Sequence, residues 1–308
     1  LFLMHLLVGL CAVYFIWRVL LPLCRIAFIH SLGYRWFSKR KQLKNAGDWA
    51  IITGATDGIG LAYAESLASD GMNILLVSRT ERKLKDVSDH ISTTFKVSVK
   101  YVVADFTRTD IYDIIRKEID GLSSIACLVN NVGMVNLNPE QFAFDDGMKV
   151  DQIQRFINCN CLSTAAMCRI VLPRMIAQNS GAAVINMASY SGVYTVPYIS
   201  LYGGTKSFVQ HFSRAIEIET RGTNLLIQTL YPMYVATSMV SKHRSIFVID
   251  PKKCAEASLN LLGVETFTPG HWLHALQILW YTFLPQFLMN FSMRGALERA
   301  ITRKMKQK

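Results

Sequence analysis

Residues 1 to 47 contain no Asp and no Glu, against seven Lys and Arg. A second gap, this time in charge of either sign, runs from the residue after Glu265 to the one before Arg294. Residues 291 to 308 carry six basic groups and only Glu298, so the two ends hold +12 against a whole-chain net charge of +11, and residues 48 to 290 sum to −1. A nucleic-acid binder is expected to carry its basic excess on the folded body. Here the ends carry it, which argues against nucleic acid as the partner and for a membrane surface.

Cysteine motifs are missing too. Cys11 and Cys24 lie in the apolar N-terminus and Cys127 in a short apolar run, while Cys159, Cys161 and Cys168 fall close together with no C-x-x-C and no nearby His. That pattern predicts neither a metal site nor a disulfide framework, and it is ordinary for a reducing compartment. Internal repeats and low-complexity tracts are also absent. With 308 residues, the chain is expected to form one large α/β domain with appendages.

What the chain has in abundance is apolar surface: 51% hydrophobic residues and a mean hydropathy of +0.24. Residues 1 to 17 carry no formal charge, and the run stays apolar to Ile29 apart from Arg18 and Arg25. Seventeen helical residues rise roughly 26 Å, just short of a ~30 Å hydrocarbon core, and snorkelling arginines would lengthen the usable span. A membrane anchor over residues 1–32 is therefore expected, with a buried core helix as the alternative. No small-residue cleavage site follows, which disfavours a signal peptide; the opening Leu1 leads one to expect an initiator segment ahead of it. Residues 33–47 read as a basic juxtamembrane linker, with Arg35, Lys39, Arg40, Lys41, Lys44 and an interfacial Trp36. The positive-inside tendency places that flank and the domain after it in the cytosol.

From residue 48, apolar runs of four to seven residues ("WAIIT", "NILLVS", "VKYVVA", "IACLVN", "AAVINMA", "LLIQTLY") alternate with stretches of helical period at 59–70, 81–95, 110–120, 151–178 and 202–221. Such alternation predicts a doubly wound parallel sheet covered by helices on both faces, with ligands at the carboxyl ends of the strands. The first strand opens into "TGATDGIG". Gly54, Gly58 and Gly60 in this turn suit a tight bend, close approach of a pyrophosphate and a helix N-terminus aimed at negative charge; Thr56, Asp57 and Ile59 belong to the same candidate cofactor site. The second strand ends at Ser78 and Arg79, with no acid until Glu81. An acid there would hold a ribose 2′-hydroxyl, whereas Arg accommodates a 2′-phosphate, so Arg79 is expected to select NADPH. Asp105 ends the third strand, either to meet the adenine or to cap a helix. The fourth ends in "NNVG", with Asn131 and Gly133.

In "ISLYGGTKSFVQ", Tyr202 and Lys206 stand four apart on one helix face, 13 residues after Ser189. "TGATDGIG", "NNVG", that Ser and that pair, in that order over about residues 48 to 240, resemble the short-chain dehydrogenase/reductase family. Val132, where N-N-A-G is more usual, and the apolar ends resemble its microsomal branch of 17β-hydroxysteroid dehydrogenases and very-long-chain 3-oxoacyl-CoA reductases. The resemblance implies a catalytic set of Asn160, Ser189, Tyr202 and Lys206. Pro232, Val235 and Thr237, in "PMYVAT", would lie in the loop that meets the nicotinamide, which Tyr202 and Lys206 would also contact. Tyr202 would protonate a carbonyl oxygen, with Lys206 and the positive nicotinamide lowering its pKa. Ser189 would donate to the substrate oxygen, and Asn160 would support a proton relay. Gly203 and Gly204 depart from the small Ser or Ala usual in the family.

Residues 48–265 are read as the NADP-binding domain, with 238–265 as a mobile cover. Residues 266–308 are read as a membrane-dipping segment with a basic tail; a dimer interface or lid is the alternative. Lys304 and Lys306 resemble an endoplasmic reticulum retrieval signal. The whole implies a reductase of a lipophilic ketone, 3-oxoacyl-CoA or 17-ketosteroid, then retinoid, in the endoplasmic reticulum membrane. A homodimer and fatty-acid elongation enzymes are the expected partners. A catalytically silent scaffold is the reading from another class.

Overall fold

In the computed structural model the six apolar runs form β1 (Trp49–Thr53), β2 (Asn73–Ser78), β3 (Val99–Val103), β4 (Ile125–Asn130), β5 (Ala183–Met187) and β6 (Leu226–Leu230). A seventh strand, β7 (Phe267–Thr268), extends the sheet beyond them. The structure describes residues 2–135, 142, 148–238, 247–285, 287, 288, 291 and 295. The strand order is β3-β2-β1-β4-β5-β6-β7, every pairing parallel. β1, β4 and β5 are buried at every residue, as central strands covered on both faces must be. The order reverses between β1 and β4, the switch point where such Rossmann-like sheets bind ligands.

The covering helices follow the expected periods. Gly58–Ser69, Glu81–Phe95, Tyr112–Asp120 and Ser200–Glu219 stand within two residues of the stretches read from the sequence. The stretch 151–178 is one helical path in three parts, Val150–Ile157, a π-turn Asn158–Leu162, and Ser163–Gln178. By length and composition this path is apolar enough to cross a membrane. It buries Phe156, Met167, Cys168, Val171 and Met175 inside the protein instead.

Two expectations change. Most of the supposed cover at 238–265 belongs to the body: Ile249 bridges Val235, and Pro251–Asn260 packs against Gly58–Ser69, burying Cys254, Ala255, Ser258 and Leu259. Asp250 caps that helix by accepting from Lys252 N at 2.8 Å, and Pro251 follows it at the first turn, where its missing N–H costs nothing. Residues 239–246 lie outside the described residues, as do Lys304 and Lys306.

The second change concerns the N-terminal helix, the candidate membrane anchor. Phe2–Phe15 stands clear of the protein with its apolar side chains exposed. Arg18 and Arg25 both contact the body. Arg18 Nη2 donates to Thr282 O at 3.4 Å and its guanidinium lies over the Phe283 ring, while Arg25 Nη2 pairs with Glu265 Oε1 at 2.6 Å. Farther on, Lys39 N donates to Leu262 O at 2.8 Å, and Arg40 bridges Asp70 (Nε to Oδ2, 2.7 Å) and Glu256. From Arg18 onward the helix is docked on the body. The described C-terminal helix, Trp272–Tyr281, has ten residues. It rises about 15 Å, half of what a span requires.

Candidate active site

The turn after β1 is tight for a stated reason. Gly54 has φ +65°, and a Cβ on Gly60 would stand 2.3 Å from Gly54 O and 2.5 Å from Asn131 Nδ2. Any side chain there would force the helix away from the strand. Asn131 spends its carboxamide on Thr53 O (3.0 Å) and Gly54 O (3.2 Å), pinning the end of β4 to this turn. Asp57 caps the helix, accepting from Gly58 N at 2.7 Å through Oδ1 and from Ser238 Oγ at 2.7 Å through Oδ2. Thr237 comes within 2.9 Å of where a Cβ on Gly58 would stand. The loop after β6, which also holds Pro232 and Val235, therefore lies directly against the glycine turn. Ile59 is partly buried at the helix start.

At the end of β2, Ser78 Oγ lies 3.0 Å from Thr56 Oγ1, and Arg79 is exposed beside them. Asp105 is no helix cap: its Oδ1 accepts from Thr107 N (3.0 Å) and Oγ1 (2.9 Å), closing a turn well before the helix at Tyr112. A turn built on three glycines, a helix N-terminus and an Arg at the end of β2 fit a dinucleotide carrying a 2′-phosphate.

The four remaining candidates converge beyond β4 and β5. A Cβ on Gly133 would sit 3.4 Å from both Asn160 Oδ1 and Lys206 Nζ. Asn160, in the π-turn, accepts from Met134 N at 2.7 Å and donates to Met134 O at 2.9 Å and to Thr205 Oγ1 at 3.0 Å. π-Turns inside helices recur at functional sites. Lys206 is buried. Its Nζ donates to Met187 O at 2.8 Å and lies 5.9 Å from the Tyr202 ring centroid. Burial lowers its pKa to about 8. Ser189 Oγ accepts from Ser191 Oγ at 3.0 Å, which leaves its own proton to donate.

Burial raises the pKa of the Tyr202 phenol, and a hydrogen bond with Ser189 opposes that shift. Beside Tyr202 opens a small apolar cleft lined by Phe142, Met148, Phe156, Tyr198 and Leu201. Tyr190, next to Ser189, stacks between Tyr194 and Tyr281 at 6.1 Å from each.

Sequence reasoning missed two positioning groups. Gln210 Nε2 donates to Ser189 O at 2.7 Å, and Thr205 Oγ1 ties Asn160 to Tyr202 O at 2.8 Å. Thr205, Lys206 and Gln210 share the buried side of one helix, a helical-period signal open to the sequence. Cys159 and Cys161 flank Asn160, and burial pushes the Cys159 thiol up to about 11. All seven cysteines are free.

The profile of the short chain dehydrogenase family matches residues 48–246. The chain belongs to that family. It is an oxidoreductase of it. Among curated relatives, the very-long-chain 3-oxoacyl-CoA reductase of Bos taurus is 41% identical over 244 residues, covering 79% of this chain and 77% of the relative. The inactive hydroxysteroid dehydrogenase-like protein 1 of Homo sapiens is 37% identical over 272 residues, covering 86% and 80%. Of solved structures, a 7beta-hydroxysteroid dehydrogenase superposes with a TM-score of 0.73 at 23% identity, over 82% of this chain and 98% of that one, which shows the fold. A short-chain dehydrogenase from Sphingobium yanoikuyae in complex with NADPH gives 0.63 at 25% identity, over 69% and 83%.

Proposed function

We propose that this chain reduces the ketone of a lipophilic substrate with NADPH, a long-chain 3-oxoacyl-CoA being the leading substrate class. The observation that carries the chemistry is the convergence of Ser189, Tyr202, Lys206 and Asn160 beside the glycine turn. Relatives 41–42% identical and named very-long-chain 3-oxoacyl-CoA reductases support the substrate class.

When bound, NADPH supplies the hydride. Gly54, Thr56, Asp57, Gly58, Ile59, Gly60, Ser78, Arg79, Asp105, Asn131, Gly133, Pro232, Val235 and Thr237 form the cradle that would hold it. Tyr202 keeps its proton at neutral pH, because burial raises its pKa, and it donates that proton to the carbonyl oxygen as charge develops there. Ser189 donates a second hydrogen bond to the same oxygen. Lys206, lowered to about 8, is still mostly charged at pH 7 and stabilises the resulting phenolate. Asn160, locked on Met134 and Thr205, is the group from which a water relay would restore the proton.

The exposed apolar helix and its basic flank support residence in the endoplasmic reticulum membrane with the catalytic body in the cytosol. A second reading, a silent cofactor-binding scaffold, draws on the relative named inactive. Membranes carrying the chain, assayed for NADPH oxidation with a 3-oxoacyl-CoA, estrone and retinal in parallel, separate the readings. Turnover of 3-oxoacyl-CoA is expected, falling about 10²–10⁴-fold in Tyr202→Phe. Turnover surviving that substitution sinks the mechanism, and NADPH binding with no turnover of any substrate favours the scaffold.

A further inference from the structure

A cavity of about 380 Å³ lies between the N-terminal helix, the C-terminal helix Trp272–Tyr281 and the β7 edge of the sheet, away from Ser189, Tyr202 and Lys206. That volume falls in the ~300–1,000 Å³ range of small-molecule sites. Its walls are Leu21, Ile26 and Ile29 on one helix and Ile278 and Leu279 on the other, and its floor is Tyr231 stacked on Phe267 at 4.2 Å. Arg25, paired with a nearly buried Glu265, and His30 also line it. Trp17 and Thr282 line it as well.

We propose that this cavity is a slot for one acyl chain of a bilayer phospholipid. Three features select that occupant. First, one wall is the docked continuation of the helix Phe2–Phe15, which stands exposed and largely apolar, so the slot is continuous with the surface that the proposed membrane residence puts in lipid. Second, the wall from Trp17 to His30 runs about 20 Å, enough for the ~15 Å of chain that one leaflet contributes to a ~30 Å core. Third, Trp17 and Trp280 are 70% and 66% exposed beside the Arg18–Thr282 contact, as suits side chains at the level of lipid headgroups. Arg18 and Arg25 are both engaged by the body, and these contacts fix the wall helix in place. A chain seated there also packs against the helix that supplies Tyr281 to the stack on Tyr190, next to Ser189.

The test uses the full chain in phosphatidylcholine vesicles doped with a phosphatidylcholine that carries a diazirine midway along one acyl chain. After irradiation, labelled peptides are mapped in the wild type and in two variants that fill the slot, Ile26→Trp and Leu279→Trp, with thermal midpoints confirming that the variants fold. Labels are expected on residues 21–29 and 275–282 as well as on 2–16, with the slot labels falling about tenfold in both variants while those on 2–16 persist. Labelling confined to 2–16 in the wild type overturns the proposal whatever the variants do. Slot labelling that both variants leave intact overturns it as well. Slot labelling abolished by excess 3-oxoacyl-CoA assigns the cavity to substrate and overturns it a third way.

Discussion

Gln210 Nε2 donates a 2.7 Å hydrogen bond to the backbone oxygen of Ser189, one helical turn beyond Lys206. The helix that carries Tyr202 thereby also fixes the serine facing it, so the two donors to one substrate oxygen move as a unit. Gln210→Leu keeps the volume but orphans a carbonyl in the interior. A loss of about 1–3 kcal/mol in stability is expected, read by chemical denaturation. With Ser189 no longer held, kcat is expected to fall about tenfold with little change in the KM for NADPH, a split that a purely structural lesion would not give.

The Lys206 amine, lowered to about 8 by burial, is charged below that pH and neutral above it. The kcat/KM for NADPH, which reports groups of the free enzyme, is therefore expected to decline as pH rises through about 8. Stability moves the other way. Between about 8 and the ordinary lysine value of ~10.4, the unfolded chain holds a proton that the folded chain lacks, so this group favours folding more as pH rises through that window. Thermal midpoints of wild type and Lys206→Met, compared at pH 7 and 10, check the sign.

Gly203 and Gly204 are not equivalent. A Cβ on Gly203 would stand 3.0 Å from Ser191 O, whereas one on Gly204 meets nothing within 4 Å. Gly204→Ala is expected to stabilise the helix by about 1 kcal/mol, a rise of about 2–4 °C in Tm, with activity kept. Gly203→Ala should gain none of that and should lower activity by shifting the segment that carries Ser189.

Arg79→Ala tests the choice of dinucleotide. Loss of a charge-assisted contact worth about 1.5–3 kcal/mol raises the KM for NADPH roughly 10–100-fold and leaves the KM for NADH unchanged. Equal effects on both cofactors would remove Arg79 from the 2′-phosphate site.

Much of this fold is legible in the residues. Runs such as "WAIIT" and "IACLVN" coincide with β1 and β4 because buried parallel strands need unbroken apolar stretches, and polar or glycine punctuation closes them. β7 is not legible: Phe267–Thr268 is too short to show a period, and it pairs only because β6 offers an edge. The candidate catalytic groups carry their own spacing, but Gln210 finds its partner in a backbone carbonyl, which no side-chain pattern announces. The partners of Arg18 and Arg25 are hidden in the sequence for a related reason. In sequence the two arginines are charges interrupting an apolar run, and their partners, Thr282 and Glu265, lie 264 and 240 residues away.

Arg40 joins the chain just ahead of β1 to Asp70 and Glu256, which belong to or adjoin two different helices of the body. An enzyme on a slack tether samples every attitude toward the surface that holds it. Here the attitude is settled when the chain folds. On the proposed membrane residence, the cleft beside Tyr202 would keep a constant bearing to the membrane plane. A lipid arriving by lateral diffusion would then meet it at one angle, with much of the rotational search already completed.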